Sequence, residues 1–459
     1  MKEENIDVTY VAVSRWDEVP SLNNLMAAGN APDVCLTYDA NLIANYRDLG
    51  GLYDMQPHIE RLMPDLKRFL GPDPSLPGRD LIYRNQDIET KKVVSIPARR
   101  MNVALNGTFI RKDWLDKLGL GLPKTTQEFF DAMLAFKEKD PGGVGKEKVM
   151  PFTLLSNFHM GVDIITDSFV DINLSPKDRW INLVAGRHYL WPGYKEGIRF
   201  MNKMYNAGLI NRDFPLNTAA QDLERDVKSG LAGCYIRDWD HAYRDSPGIY
   251  QDLIKNIPGA ELVPIDPFTN SRGLASREAY DPAGVNFFIP AFSKNPEAAM
   301  RYVNWLSRDE NKRFLQIGPE GVTHDLVNGV PKLKPATGLW IQNSPQNLDY
   351  TISVNGLDVG DPELNIKVLA NSYTVPPQLI IDAYNVATKN TWTIPVVPVT
   401  LSAAGPYAVT LQDKGNQLVT EAVTCAPGQF DRIWDAGMAD WMASGGQVIL
   451  EERKAKYTE

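Results

Sequence analysis

The chain is poor in the residues on which much protein chemistry relies. Its 459 residues include only three cysteines and five histidines. Cys35, Cys234 and Cys425 are far apart and form no C-x-x-C pair, so neither a cysteine zinc site nor a disulfide framework is indicated. Each lies in an apolar run, the usual setting of a buried free thiol. His58, His159, His188, His241 and His324 form no H-E-x-x-H, and G-x-S-x-G and G-x-G-x-x-G are missing too. Lys146 follows Gly145, but the upstream glycine of a phosphate loop is misplaced and Glu147 replaces the hydroxyl that magnesium needs, which removes a nucleotide reading. No run approaches the ~18 apolar residues of a membrane span, and no secretion signal is visible. Basic charge is also short. With 48 Lys and Arg against 57 Asp and Glu the net charge is −9, which argues against nucleic acid or an anionic membrane as the main partner. A neutral or weakly charged solute is compatible.

What is present suits a soluble α/β protein. The length is too great for one hydrophobic core and points to two or three domains, and 43% hydrophobic with 23% charged residues is ordinary for a globular chain. Ile6, Val8 and Tyr10 alternate as a half-buried strand does. A helix ending near Gly29 and a turn at Pro32 lead into the short strand Val34 to Thr37. Tyr38, Asp39 and Asn41 follow at its carboxyl end, where open α/β sheets place ligands. Val93 to Pro97 reads as another strand, continuing through Arg100 and Asn102 into the apolar Val103 to Ile110, a first crossing between two lobes. Further strands are expected at Val149 to Leu155 and Leu231 to Ile236, and a helix up to Gly208 with Ile198, Met201, Met204 and Tyr205 on one face. Ala283 to Pro290 reads as a return crossing. Asn295, Pro296 and Glu297 open a helix with cap, first-turn proline and first-turn acid, its buried stripe being Ala299, Tyr302, Val303 and Leu306.

Thr125-x-x-Glu128 is a capping-box pattern, and Phe129, Phe130, Met133 and Leu134 follow on one helical face. The stretch around it, from Arg111-Lys-Asp-Trp-Leu-Asp-Lys-Leu-Gly-Leu through Pro123-Lys-Thr-Thr-Gln-Glu-Phe-Phe to Asp140-Pro-Gly-Gly-Val-Gly-Lys, resembles a signature of the extracellular solute-binding proteins that deliver oligosaccharides to ABC importers. The maltose-binding-like family, near its alginate-oligosaccharide-binding and lipoprotein branch, is the one it resembles. Trp305-Leu-Ser-Arg-Asp-Glu, Gly318-Pro-Glu-Gly-Val and Phe430 to Gly446 resemble later segments of that family in order. The resemblance implies an α/β fold, periplasmic-binding-protein-like type II, with two lobes, a hinge and an interlobe ligand cleft. Lobe 1 would comprise 1–104 and 285–338, and lobe 2 would comprise 105–284 and 339–459 with the C-terminal helices. The crossings would lie near 100–105, 283–288 and 335–345. Such proteins normally begin one strand and one helix earlier, after a signal and a lipidated cysteine. Those parts are absent here, so a truncated start is expected, with a full-length form that is extracellular and membrane-tethered.

Sugar recognition uses flat apolar rings that stack on pyranose faces and planar polar groups that pair vicinal hydroxyls. Ten tryptophans and 18 tyrosines supply rings in excess, so position must select among them. The resemblance selects Trp239 as the stacking ring of lobe 2 and Tyr38 as that of lobe 1, with Asp39 and Asn41 beside it. It places Asn157 and His159 after the strand ending at Leu155, Arg100 and Asn102 at the first crossing, Trp16 in an early loop, and Glu320 as ligand or hinge support. Asp238 and Asp240 flank Trp239 and suit sugar hydroxyls. The same acids leave open a glycan-active hydrolase or lyase, or, with Asp39, a peptide or polyamine binder. Trp180, Trp191 and Trp392 are read as packing. The loop from Asp140 resembles a calcium loop, yet Gly142 and Val144 stand where oxygen ligands belong and Lys148 and Val149 where the family has acids, so a plain turn without metal is expected. The expectation is a non-enzymatic monomer without cofactor that captures an oligosaccharide and hands it to ABC permease subunits, with no nucleic-acid partner.

Overall fold

The computed structural model describes residues 3–14, 17–76, 78–156, 163–171, 173–217, 219–270, 272–334, 351–394, 396–397, 399 and 401–457. In chain order the strands are β1 (Cys35–Thr37), β2 (Ser95–Arg100), β3 (Asn106–Arg111), β4 (Cys234–Asp238), β5 (Leu262–Ile265), β6 (Arg277–Glu278), β7 (Ala283–Phe288), β8 (His324–Val327), β9 (Val330–Leu333), β10 (Val354–Asn355) and β11 (Thr391–Trp392). The chain divides into two compact units. Unit 1 is Met1–Val103, Asp281–Ser372 and Val396–Thr400, and unit 2 is Ala104–Tyr280, Tyr373–Pro395 and Leu401–Glu459.

Unit 1 is built on a four-stranded sheet in the order β1-β7-β2-β10. β7 runs antiparallel to both β1 and β2, and β10 runs parallel to β2. Pro97 cannot donate to a ladder, and the register of β2 slips between Pro97 and Arg99. One face of the sheet packs Ile96 and Phe287 against Met55, Leu66 and Met300. The helix Pro296–Leu306 buries Ala299, Tyr302, Val303 and Leu306, the stripe its periodicity predicts. Asn295 precedes that helix, but its side chain makes no capping hydrogen bond. Glu297 instead pairs with Arg61 at 2.8 Å. The alternation at Ile6 and Val8 is real in burial, since both pack against this core. Neither lies in a regular strand of the described residues, and Tyr10 is 66% exposed, so the expected strand is an extended run.

Unit 2 centres on the sheet β4-β3-β5, antiparallel throughout. The helix Thr126–Lys139 is opened by the capping box: Thr125 Oγ1 accepts the Glu128 N–H at 3.1 Å and the Glu128 carboxylate accepts the Thr125 N–H at 3.1 Å. Phe129, Met133 and Phe136 are fully buried on its inner face, with Phe130 and Leu134 half-buried beside them. Val149 to Leu155 is not a regular strand. Its backbone alternates between partners, Met150 bridging Ala232, Phe152 bridging Ile210 and Thr153 bridging Tyr235, so an apolar run is satisfied without a ladder. The helices Ala404–Thr424, Phe430–Trp441 and Gln447–Lys456 belong to this unit. Asn202 ties the first of them down by donating to the carbonyls of Ala422 and Val423, each at 3.0 Å. Trp180, Trp191 and Trp392 are buried here as packing.

The unit boundaries at Val103/Ala104 and Tyr280/Asp281 lie within a few residues of those read from the sequence. The third falls at Ser372/Tyr373 rather than near 335–345. The cause is β10, which pairs with β2 and keeps the chain in unit 1 for some thirty residues longer. Most of the expected 335–345 connection lies outside the described residues.

Asp167 is a fully enclosed acid in unit 2. Its Oδ2 accepts the Glu278 N–H at 3.0 Å and its Oδ1 lies 3.3 Å from His188 Nε2. Burial pushes its pKa up to about 7, against the pull of that N–H and of Arg277. A carboxyl whose pKa is raised by folding is stabilising when protonated and loses that contribution as pH rises from about 4 to about 7. Asp167→Asn keeps a carbonyl for the Glu278 N–H and removes the titration. Relative to the parent chain it should therefore gain on the order of 2–4 kcal/mol between pH 4 and pH 8, read by urea denaturation at each pH; an unchanged difference would refute the assignment.

Candidate functional site

In unit 1 the strands β1, β2 and β10 are mutually parallel, so their carboxyl ends share one edge of the sheet. Tyr38 leaves β1 there, and its hydroxyl accepts from Asn355 Nδ2 at 2.7 Å. Asn355 ends β10 in register with Arg100 at the end of β2. Arg100 donates its N–H to Pro282 O at 2.7 Å and its Nε–H to Asp281 O at 3.1 Å. Those bonds fix its backbone and aim the half-buried side chain along the edge. Gly284 is required beside it, because a Cβ there would come within 2.5 Å of the Asn355 Cβ. Asn102 follows two residues later, half-buried. The structure therefore gathers Tyr38, Arg100, Asn102 and Asn355 around one short edge, a ring with planar amide and guanidinium groups.

Asp39 has a different role from that expected. It caps the helix Ala40–Asp48, its Oδ1 accepting the N–H groups of Asn41 at 2.8 Å and Leu42 at 3.1 Å. The Asn41 side chain is exposed on the first turn of that helix. Glu320 is exposed in the turn between the helix Asp309–Ile317 and the β8–β9 hairpin, on an element other than those that carry Tyr38 and Arg100. Trp16, Asn157 and His159 lie outside the described residues.

In unit 2, β4 ends at Asp238, opposite Asn106 at the start of β3. Trp239 follows, its N–H donating to Leu105 O at 3.1 Å and its ring meeting Tyr384 edge-on at 5.7 Å. The flanking acids converge on one guanidinium. Arg244 donates to Asp238 Oδ2 at 2.8 Å through Nη1 and to Asp240 Oδ1 at 2.9 Å through Nε. The Tyr373 hydroxyl donates to Asp240 Oδ2 at 2.5 Å. Burial works against the Arg244 charge, but Asp240 and Asp238 outweigh it and hold its pKa above the ordinary value. Both Asp240 oxygens are thus taken and its side chain is buried, so it holds the turn rather than a solute. Asp238 is half-buried and keeps one oxygen, Oδ1, without a hydrogen-bond partner.

The same geometry weakens an acid–base reading. A glycosidase pair needs one carboxyl that holds a proton and one that is free to attack or deprotonate, whereas Asp238 and Asp240 share a permanent cation. His241, next in sequence, is buried. Burial, and then the charge of Arg237, push its pKa down to about 3, leaving a neutral ring. For the polyamine reading, Arg244 already occupies the acids that would grip an ammonium.

The loop after Asp140 does not fit a calcium ion. Asp140 Oδ1 accepts the Val144 N–H at 3.0 Å and Oδ2 the Gly145 N–H at 2.8 Å, so the carboxylate closes its own turn. Gly142 has no room for a ligand, since a Cβ there would meet the Trp114 ring at 2.5 Å. No group of three or more His, Cys, Asp or Glu suited to a metal occurs among the described residues.

Residues missed from the sequence are Asn355, Tyr373, Tyr384 and Arg244. Val354-Asn355-Gly356 carries the pattern of a short strand stopped by glycine, a signal of the same kind as the one at Tyr38. Tyr373 and Tyr384 carry no local signal, because they reach the site from a distant segment.

Residues 1–313 match the sequence model of the bacterial extracellular solute-binding proteins. Among curated proteins, the chain is 26% identical over 265 residues to the polygalacturonan/rhamnogalacturonan-binding protein YtcQ of Bacillus subtilis, covering 56% of this chain and 49% of that one. The chain thus spans about half the length of that relative. Among solved structures, it resembles the alginate-binding protein AlgQ2 without calcium ion, with TM-score 0.61 and 21% identity over 95% of this chain and 88% of that one. It also resembles an EF-hand mutant of the Streptococcus pneumoniae ABC-transporter substrate-binding protein FusA in complex with fructo-nystose, with TM-score 0.66 and 17% identity over 99% and 93%.

Removing Asp240 would leave the Arg244 guanidinium and the Tyr373 hydroxyl without their partner. Asp240→Ala is therefore expected to destabilise the protein by about 2–3 kcal/mol in chemical denaturation, at the low end for a broken buried pair because Arg244 retains some solvent. A loss below about 0.5 kcal/mol would mark the cluster as an ordinary surface ion pair.

Proposed function

Because the chain belongs to the bacterial extracellular solute-binding proteins, we propose that it is the capture component of an ABC importer, holding an oligosaccharide and passing it to membrane permease subunits. The family match over residues 1–313 carries this reading. It is supported by two sheet edges of suitable chemistry, one in each unit. In unit 1, Tyr38 would stack on one sugar face while Arg100, Asn102 and Asn355 pair hydroxyls, with Asn41 in reach of the rim. In unit 2, the 6% of Trp239 left exposed and the half-buried Tyr384 would supply the second aromatic surface, with the half-buried Asp238 beside them. Trp16, Asn157, His159 and Glu320 remain proposed contacts on the strength of the family resemblance alone. Solute that binds one conformation better than another shifts the equilibrium toward it, which is how such a protein signals occupancy without making or breaking a bond. A surface location, tethered through lipid, follows from the same reading.

The sugar is proposed to be an oligosaccharide of the kind represented by the polygalacturonan and rhamnogalacturonan of the binding protein YtcQ and the fructo-nystose in complex with FusA. A thermal-shift panel of these oligosaccharides, with polyamines as controls, tests it. A sugar present at about 100 times its Kd should stabilise by about 2.7 kcal/mol, a shift of several degrees, without turnover. Trp239→Ala should weaken that sugar at least about tenfold. Release of cleaved product, or stabilisation by polyamines alone, would overturn the proposal.

A further inference from the structure

Asn355 belongs to the edge of unit 1 proposed to meet sugar, yet β10, which carries it, is only two residues long and lies at the margin of its sheet. Its ladder with β2 covers Val354 opposite Arg99 and Asn355 opposite Arg100. A strand so short leaves the aim of the Asn355 side chain to whatever anchors the chain just beyond it. Gly356 turns that chain with a φ of +102°, a backbone conformation that a side chain would strain.

The anchor is the helix Asp309–Ile317. Gln316, buried near its end, grips the turn with both ends of its side-chain amide: Oε1 accepts the Asp358 N–H at 2.5 Å and Nε2 donates to Gly356 O at 3.1 Å. One planar amide thus does for the turn what a neighbouring strand would do, meeting a backbone donor and a backbone acceptor two residues apart. Because both partners are backbone groups, the orientation of that amide is fixed. One helical turn earlier, Lys312 meets Asp358 Oδ2 at 2.6 Å, with side chains only 4% and 5% exposed. Asp358 Oδ1 in turn accepts the Gly360 N–H at 2.9 Å. The chain after Asn355 is therefore held at Gly356 and again at Asp358.

We propose that Gln316 is a positioning residue for solute recognition: by gripping the turn after β10 it keeps the Asn355 amide against the Tyr38 hydroxyl, at 2.7 Å, and aimed at a sugar hydroxyl. This inference rests on the oligosaccharide reading of that edge. Hydrogen bonds from a planar amide are directional, so a small rotation of the Asn355 backbone costs recognition even while the fold survives. The Lys312–Asp358 pair fixes the far side of the same turn and gives Gln316 a rigid partner.

The test is solution NMR of the whole chain carrying isotope-labelled asparagine, with the Asn355 side-chain amide identified by its loss in Asn355→Ser. Gln316→Met is close in size and removes both bonds to the turn. Gln316→Glu, used should that variant not fold, keeps the acceptor for the Asp358 N–H and loses the donor to Gly356 O. Either substitution should shift the Asn355 amide signal and speed its exchange with water at least about threefold, while the Asn202 amide, held by the Ala422 and Val423 carbonyls, stays unchanged. An unmoved Asn355 amide overturns the proposal. Affinity is the second readout, from calorimetric titration with fructo-nystose and with oligogalacturonides. The Gln316 variant should weaken whichever sugar binds about five- to tenfold in the parent chain and less than about twofold in the Asn355→Ala background. Equal losses in both backgrounds would mark Gln316 as structural only and overturn the positioning role. If the amide responds but neither sugar binds the parent chain, the placement of Asn355 is upheld and the oligosaccharide reading is overturned instead.

Discussion

The arrangement of unit 1 depends on one strand running against its neighbours. β7 lies between β1 and β2, antiparallel to both, and Asn286 is in register with Thr37 on one side and Pro97 on the other. That shared register sets Thr37, the last residue of β1, level with Pro97, three residues before the end of β2, so Tyr38 and Arg100 leave the sheet at the same end. β10 then adds to the far side of β2 in parallel and brings Asn355 to the same place. Phe287 and Phe288 hold β7 down by complete burial, and each fully buried Phe is worth roughly 1.5–3 kcal/mol of transfer free energy. Functional chemistry at the edge is thus a consequence of topology and core packing.

Unit 2 solves a different problem, the placing of a buried tryptophan between two acids. Left unpaired, Asp238 and Asp240 would repel each other and resist burial. Arg244 bridges them and Tyr373 takes the remaining Asp240 oxygen, which fixes the backbone on both sides of Trp239. The neutralised turn then carries paired carboxylates rather than a reactive acid, an arrangement suited to neither the acid–base pair of a hydrolase nor the grip of an ammonium.

The sequence revealed what is local and concealed what is not. The helix Thr126–Lys139 could be read residue by residue because a capping box and its apolar face need only neighbours. The same holds for the buried stripe of Pro296–Leu306, although Asn295 shows that a favourable cap residue need not use its side chain. Val149 to Leu155 was misread because an apolar run satisfies its backbone equally well by single bridges to several partners. Tyr38, Arg100 and Trp239 could be placed from the sequence because each ends or follows a recognisable strand. Asn355, Tyr373 and Tyr384 could not be placed, because partners more than a hundred residues away in sequence set their positions. The acids beside Trp239 were found in position but not in role, since only the folded chain brings Arg244 onto both.

The most direct measurement is native mass spectrometry of the protein after incubation with mixed oligosaccharides. The account requires a one-to-one adduct with the mass of an intact sugar, diminished when Trp239 is replaced. No adduct at any sugar concentration, or accumulation of shortened fragments in the supernatant, would contradict it.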